Sequence, residues 1–271
     1  MSTAFTSIHA GPAPSVPAQV STVGRTMLGT VTLAVVFALA ARVVELRPIE
    51  LFRDVGNIGI FLRGYLHPSF GNIGEYAWQC VVTLCIALWG TVLAALVSVP
   101  LGLLGARNLS PHPVIYFAAR RVMDVLRAVN EFVFALMFVT AVGLGPFAGM
   151  LALGIHTGGV LGKLLSETIE SIDPGQVEGV AAVGAGRLQV IAFGVVPQVL
   201  PNYISYVLLR LESDVRSASV IGMVGGGGIG FYLWDTIRSF KDGEASTVIL
   251  LIVVMVMGID VVSARIRRAA I

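Results

Sequence analysis

One long stretch without acidic or basic side chains constrains this chain most. Between Tyr76 and Ala106 the sequence contains no Asp, Glu, Lys or Arg. A helix rises about 1.5 Å per residue, so such a run is long enough to cross a bilayer core of about 30 Å. Only 13% of all residues are charged, about half the share in soluble domains. We therefore expect much of the apolar surface to face lipid.

Apolar segments of this kind recur along the chain and predict an all-α, multi-span membrane helix bundle of about six transmembrane helices. The predicted spans cover residues 26–45, 76–104, 121–143, 147–168, 199–222 and 245–264. The uncharged stretch 132–162 is too long for one untilted span, and Gly143, Gly145 and Pro146 divide it. Residues 105–120 are predicted to form a polar loop.

The remaining segments suggest how the chain is arranged about the membrane. Residues 1–24 are rich in Pro, Ala, Ser and Thr, which predicts a disordered cytoplasmic tail before the transmembrane domain 25–271. Within that domain, residues 46–75 predict an interfacial, extracellular linker, and residues 171–198 predict a cytoplasmic segment. Six spans place both termini on one side, and the distribution of Arg favours the cytoplasm for that side.

The sequence predicts no catalytic residue, no metal site and no nucleic-acid partner. The net charge is only +2, and the four histidines and sixteen acids form no nucleophile–base or metal-ligand set. Gly225, Gly227 and Gly230 satisfy G-x-G-x-x-G, but they follow a predicted membrane helix rather than a strand. Residues 158–164 resemble a phosphate loop, yet Leu164 replaces its Ser or Thr. Any dependence on ATP must therefore come from a partner chain.

Four charged side chains lie within or beside the fifth span: Arg210, Glu212, Asp214 and Arg216. Each charge costs about 2.5–3.5 kcal/mol at the centre of a membrane helix, so exposure to lipid is unfavourable. The four-residue spacing predicts two pairs, Arg210 with Asp214 and Glu212 with Arg216. Either pair can hold the bundle together or face a polar cavity, and both interpretations stay open.

A second polar group, Arg127, Glu131 and His156, falls in the third and fourth spans. Glu131 follows Arg127 by four residues and is predicted to pair with it. His156 stands alone in an apolar run. Such a histidine is more often a hydrogen-bonded packing residue than a ligand.

Small residues follow the fourth span. Asp173 and Pro174 predict a helix start, and Glu178, Ala181, Ala182 and Ala185 are predicted to share one helical face. This face lets another protein approach closely, although an ordinary loop between spans is an equal alternative.

Glu178, Gly184 and the pair at 196–197 resemble the EAA loop of ABC importer permeases, although Gly179 and Val180 replace its usual alanines. More specifically, the chain resembles the permeases of the phosphonate importer family from about residue 76 to 268. The matching stretches are 131–136, 143–149, 156–159, 162–163, 196–201 and 212–230. Asp214 departs from the pattern, where Asn is expected, so the anion that is carried stays open.

The resemblance implies the fold and assembly of a type I ABC importer in the bacterial plasma membrane. Two copies of the chain would form the pathway. Two ATPase subunits would bind ATP and Mg²⁺, and an extracytoplasmic phosphonate-binding protein would dock outside. No cofactor is expected in this chain itself.

The resemblance also suggests roles for particular residues. Arg216 is the first candidate for attracting the anion, and Arg127 is the second. The predicted pathway also includes Arg210, Glu212, Asp214, Glu131 and His156. Coupling to the ATPase falls to Glu178, Ala181, Ala182 and Gly184, on a helix predicted over 178–187. The predicted extracellular gate comprises Gly225, Gly226, Gly227, Gly228 and Gly230.

Two alternatives remain. A self-contained secondary transporter or channel would use the intramembrane charges as an ion relay. A type I permease for another small solute, such as phosphate, phosphite or methionine, would keep the architecture and change the cargo.

Overall fold

The computed structural model describes residues 19–53 and 55–270, and every regular element in these ranges is helical. The helices are α1 (Gln19–Val43), α2 (Pro48–Arg53), α3 (Val55–Tyr65), α4 (Ile73–Leu104), α5 (Pro113–Ala128), α6 (Glu131–Val142), α7 (Pro146–Glu170), α8 (Pro174–Ala182), α9 (Arg187–Val190), α10 (Val196–Ile221), α11 (Ile229–Arg238) and α12 (Asp242–Ala270). A π-helical turn, Ile191–Val195, joins α9 to α10, and a 3-10 turn, Gly222–Val224, follows α10.

Five helical segments are long and apolar enough to cross a membrane, and the count becomes six when the bent pair α5–α6 is one span. The five are Thr26–Val43, Ile73–Leu104, Pro146–Glu170, Arg187–Val224 and Asp242–Arg268. With the bent pair included, the prediction of about six membrane helices is confirmed.

The predicted third span, 121–143, is wrong as a single helix, because the chain bends by 89° between α5 and α6. The side chain of Asn130 accepts a hydrogen bond from the backbone N–H of Phe132 at 2.9 Å and so caps α6. An extended capping residue starts a new helix rather than continuing the old one. The predicted loop 105–120 is also too long, because α5 already begins at Pro113. The side chain of His112 caps this helix by accepting a hydrogen bond from the backbone N–H of Val114.

The described residues fall into two compact units, one up to residue 60 and one from residue 61. The first contains α1, α2 and most of α3. Of the predicted tail 1–24, residues 1–18 lie outside the described residues, and α1 begins at Gln19. The predicted linker 46–75 contains α2, α3 and the first residues of α4.

In the second unit, α4 and α7 pack against each other over the longest seam. Glycine permits this close approach. A Cβ atom on Gly90 would lie 2.9 Å from the Cβ of Leu153, and one on Gly154 would lie 2.6 Å from Cδ2 of Leu93. Small residues at a helix–helix seam are typical of membrane bundles. The seam holds Thr91 of α4 and Thr157 of α7 where both reach α10.

Candidate functional site

A buried carboxylate joins three helices at the centre of the second unit. Asp214 of α10 is completely buried. Its oxygens accept hydrogen bonds from Thr91 Oγ1 at 2.9 Å and from Thr157 Oγ1 at 2.8 Å. Without such donors a buried carboxylate would be strongly destabilising. Asp214 therefore ties α10 to the α4–α7 seam.

Arg210 completes this group, and the predicted pairing with Asp214 is confirmed. Its Nη2 lies 3.4 Å from Asp214 Oδ1 and 3.3 Å from Thr157 Oγ1. These are long contacts for charged partners. The Nε atom of Arg210 is buried and has no hydrogen-bond partner among the described residues. Arg210 thus retains donor capacity beyond what Asp214 uses.

Glu131 and His156 meet at the break between α5 and α6. His156 Nδ1 lies 2.9 Å from the carbonyl oxygen of Val129, which can only accept, so the imidazole donates through Nδ1. Its Nε2 lies 3.5 Å from Glu131 Oε2, and Ser217 Oγ donates to Glu131 Oε1 at 2.9 Å. These contacts fasten the break to α7 and α10, in keeping with a hydrogen-bonded packing role for His156.

The predicted pair between Arg127 and Glu131 is wrong. Arg127 pairs instead with Asp124, at 3.1 Å between Nη2 and Oδ1. The four-residue spacing brings side chains together only on a continuous helix, and the chain bends at residues 129–130.

The predicted pair between Glu212 and Arg216 is also wrong, because both side chains bond to α12. Arg267 donates to Glu212, and Arg216 Nη1 lies 3.4 Å from Asp260 Oδ1. The Arg216 side chain is 53% exposed and that of Asp260 is 45% exposed. Nothing in the apolar pattern of the last span revealed these partners, although Asp260 and Arg267 are charges near its end.

The predicted docking helix forms, with different bounds. Asp173 caps α8 by accepting a hydrogen bond from the backbone N–H of Gly175 at 2.9 Å, which confirms the predicted start. The helix ends at Ala182, not at residue 187, because Gly184 has φ +82° and turns the chain. Glu178, like Ala181 and Ala182, is exposed.

The glycine segment between α10 and α11 is a tightly packed turn. Gly225, Gly227 and Gly228 have positive φ angles. A Cβ atom on Gly230 would lie 1.9 Å from the carbonyl oxygen of Ser219. Gly226, Gly228 and Gly230 are buried. The role of these glycines as a gate stays a prediction.

Comparisons with known proteins find components and permeases of membrane transport systems. The family model for "Binding-protein-dependent transport system inner membrane component" matches residues 98–270. The chain is 36% identical over 230 residues to the phosphate-import permease protein PhnE of Mycolicibacterium smegmatis, covering 85% of this chain but only 43% of that relative. It is 37% identical over 201 residues to the phosphite transport system permease protein PtxC of Stutzerimonas stutzeri, covering 74% of this chain and 73% of that relative.

Solved structures support the same architecture. An inward-facing structure of the MetNI methionine ABC transporter contains a chain that matches 73% of this one with a TM-score of 0.63. The match covers 95% of that chain at 20% sequence identity, so it supports the fold alone. The predicted importer-permease fold is confirmed.

Proposed function

The chain belongs to the family of binding-protein-dependent transport system inner membrane components, and we propose that it is the permease subunit of an ABC importer for a phosphorus oxyanion. The observation that carries the proposal is the exposed helix α8 within the matched region 98–270. Its small side chains suit a docked partner, and the intramembrane cations suit an anionic cargo. Two relatives named for phosphate and phosphite support the choice of cargo.

The proposed assembly contains two copies of this chain, which form the pathway between them. Two ATPase subunits bind ATP and Mg²⁺ on the α8 side, and an extracytoplasmic binding protein delivers the anion from the other side. The proposed location is the bacterial plasma membrane with both termini in the cytoplasm. The exposed, almost uncharged surface of α8 supports docking of the ATPase there.

Arg216 is the proposed first contact for the anion. Its side chain is about half exposed and, among the described residues, pairs with Asp260, whose side chain is about half exposed as well. Exposed ion pairs contribute about 0–1 kcal/mol, so an arriving oxyanion can replace that partner at little cost. The planar fork of donors fits two oxygens of a phosphoryl group.

Copurification tests the assembly. The tagged chain, extracted in mild detergent from its native membrane, is expected to bring a protein that hydrolyses ATP. Uptake of phosphonate, phosphite and phosphate into proteoliposomes then tests the cargo. Purification of the chain alone, with ion-gradient-driven uptake, would support a secondary transporter and refute the importer.

Coupling through α8 has its own test. We expect Glu178→Arg to uncouple ATP hydrolysis from uptake, because a larger side chain of opposite charge disturbs the docked face. Glu178→Gln, which removes the charge but keeps the shape, separates charge from size. Wild-type uptake per ATP in Glu178→Arg would contradict a coupling role.

A further inference from the structure

Three basic side chains and one carboxylate line a cavity between α5 and α7. The cavity has a volume of about 260 Å³. It is lined by Arg127, His156, Val160, Lys163, Leu164 and Glu167. The family resemblance suggests pathway roles for Arg127 and His156 but none for Lys163, although residues 162–163 are among the matching stretches.

We propose that this cavity is a binding station that a tetrahedral phosphorus oxyanion occupies on its way to the α8 side, with Lys163 as a direct contact. The inference deepens the proposed function and rests on it. Arg127 and Lys163 supply positive charge to the cavity. His156 lies at the end of the cavity that is nearest to buried Asp214.

The lining follows from the helical repeat. Residues 156, 160, 163 and 167 are separated by four, three and four positions, so they share one face of α7. Arg127 reaches the same space from the last turn of α5. The charged stripe therefore runs along the second half of α7 toward Glu170, immediately before α8.

The position of these charges needs an explanation, because α7 is a candidate membrane span. Ionisable side chains within spans normally face the bundle interior or a water-filled cavity and mark ion pathways. The Lys163 side chain is only 18% exposed. A polar, hydrated cavity beside α5 lets the Lys163 ammonium keep its charge within the membrane, whereas contact with lipid does not.

The present partners leave both cations available. Lys163 Nζ lies 3.4 Å from Glu167 Oε1, and the Glu167 side chain is 52% exposed. Arg127 is 47% exposed and pairs with Asp124 three residues earlier on α5. Exposed ion pairs contribute about 0–1 kcal/mol, and each of these two pairs has one partner that is about half exposed. An anion that bridges the two helices can therefore compete with them.

The size of the cavity also fits. A water molecule occupies about 30 Å³ of liquid volume. The cavity consequently has room for a small phosphorus oxyanion with part of its hydration shell.

A neighbouring cation outside the cavity provides a matched control. Arg121 lies on α5, pairs with the same carboxylate, Asp124, at 3.4 Å, and is 76% exposed. It does not line the cavity. Arg121→Gln removes the same type of charge from the same helix without altering the proposed station.

The first experiment compares uptake by the complete transporter in proteoliposomes. Lys163→Gln and Arg127→Gln are each expected to lower uptake at sub-saturating anion about tenfold, the effect of losing about 1.4 kcal/mol of charged contact. Arg121→Gln should retain the wild-type rate, and Lys163→Arg should retain most of it. Uptake by Lys163→Gln at the rate of Arg121→Gln would overturn the proposal.

The second experiment detects binding without transport. Val160→Cys is made in a background with Cys80→Ser and Cys85→Ser. The rate at which its thiolate forms a mixed disulfide with an anionic methanethiosulfonate, releasing methanesulfinate, is measured in nanodiscs of neutral phosphatidylcholine. Methylphosphonate, phosphite or phosphate should slow this modification, and Lys163→Gln should abolish that protection. This readout applies even when a variant transports poorly.

An anionic lipid headgroup presents the same phosphate chemistry, so a parallel sample contains phosphatidylglycerol. Protection by phosphatidylglycerol alone, with none from the free anions, would overturn the substrate station in favour of a lipid site. Wild-type uptake of phosphonate without any protection at Val160→Cys would refute the station and leave the proposed function intact. Failure of the wild-type complex to take up any phosphorus oxyanion would refute both.

Discussion

The two sides of helix α10 carry charges at similar density but in opposite surroundings. On one side, Asp214 is completely buried and accepts hydrogen bonds from α4 and α7. On the other side, the Arg216 side chain is about half exposed, and its ion pair within the described part of the chain is a long one, with Asp260 of α12. A buried charge with satisfied partners fixes the packing, whereas an exposed charge with a weak partner is available to a ligand. Substitutions on the two sides should therefore separate stability from transport.

The largest effect on stability is expected for Asp214→Ala. The substitution leaves two threonine hydroxyls and Arg210 without their common acceptor, at a cost of about 3–5 kcal/mol. Thermal unfolding of the purified protein in detergent measures the loss. Asp260→Ala on the other side is the control and should cost at most about 1 kcal/mol. Equal destabilisation by the two variants would contradict the distinction between the buried side and the exposed side of α10.

A moderate effect is expected for Thr157→Val, which keeps the shape of the side chain and removes one donor to Asp214. Hydrogen bonds within membrane proteins contribute about 0.6 kcal/mol on average and about 1.7 kcal/mol at most. The same unfolding assay should show a loss in that range. Thr140→Val is a suitable control, because the hydroxyl of Thr140 bonds only to the carbonyl oxygen of Leu136 in its own helix.

The smallest effect on stability, combined with a loss of function, is expected for Arg216→Ala. Its exposed pair with Asp260 contributes at most about 1 kcal/mol, so the chain should still insert and assemble. Uptake should nevertheless be abolished, because the guanidinium proposed as the leading contact for the anion is gone. Near-normal uptake by assembled Arg216→Ala would remove Arg216 from the pathway and leave Arg127 and Lys163 of the cavity between α5 and α7 as the remaining candidates.

Asp214→Asn sharpens the same comparison. Asn is the residue that the phosphonate permease pattern leads us to expect here, and its amide oxygen still accepts a hydrogen bond from a threonine. Because Asp214 is buried and fixes the packing, we expect the folded protein to form in normal yield with an unchanged preference among phosphonate, phosphite and phosphate. A changed preference would contradict the distinction between the two sides of α10. Competition uptake with the three anions provides the measurement.

Much of the architecture was predictable because it depends on local features. The uncharged run of α4 is a property of consecutive residues, and so is the cap formed by Asp173 and Pro174. The pair between Arg210 and Asp214 was predictable for the same reason, since both lie on one uninterrupted helix. A spacing of four residues determines proximity wherever the helix continues.

The predicted ion pairs were wrong where the helix is interrupted between the two residues, or where a neighbouring helix supplies another partner. Arg127 and Glu131 have the same spacing as Arg210 and Asp214, but Asn130 starts a new helix between them. Glu212 and Arg216 do share a helix, yet Arg267 and Asp260 of α12 take their place as partners. The sequence likewise suggested no role for Lys163, because its proposed role depends on a cavity that α7 shares with α5.

The sequence by itself determined the membrane class, the helices and the family resemblance, because hydrophobic periodicity and capping act within a few consecutive residues. Only the tertiary structure decided which charges are buried, which are exposed and which share a cavity. Those properties depend on contacts between helices far apart in the chain, where small differences in packing select one partner from several of equal chemistry.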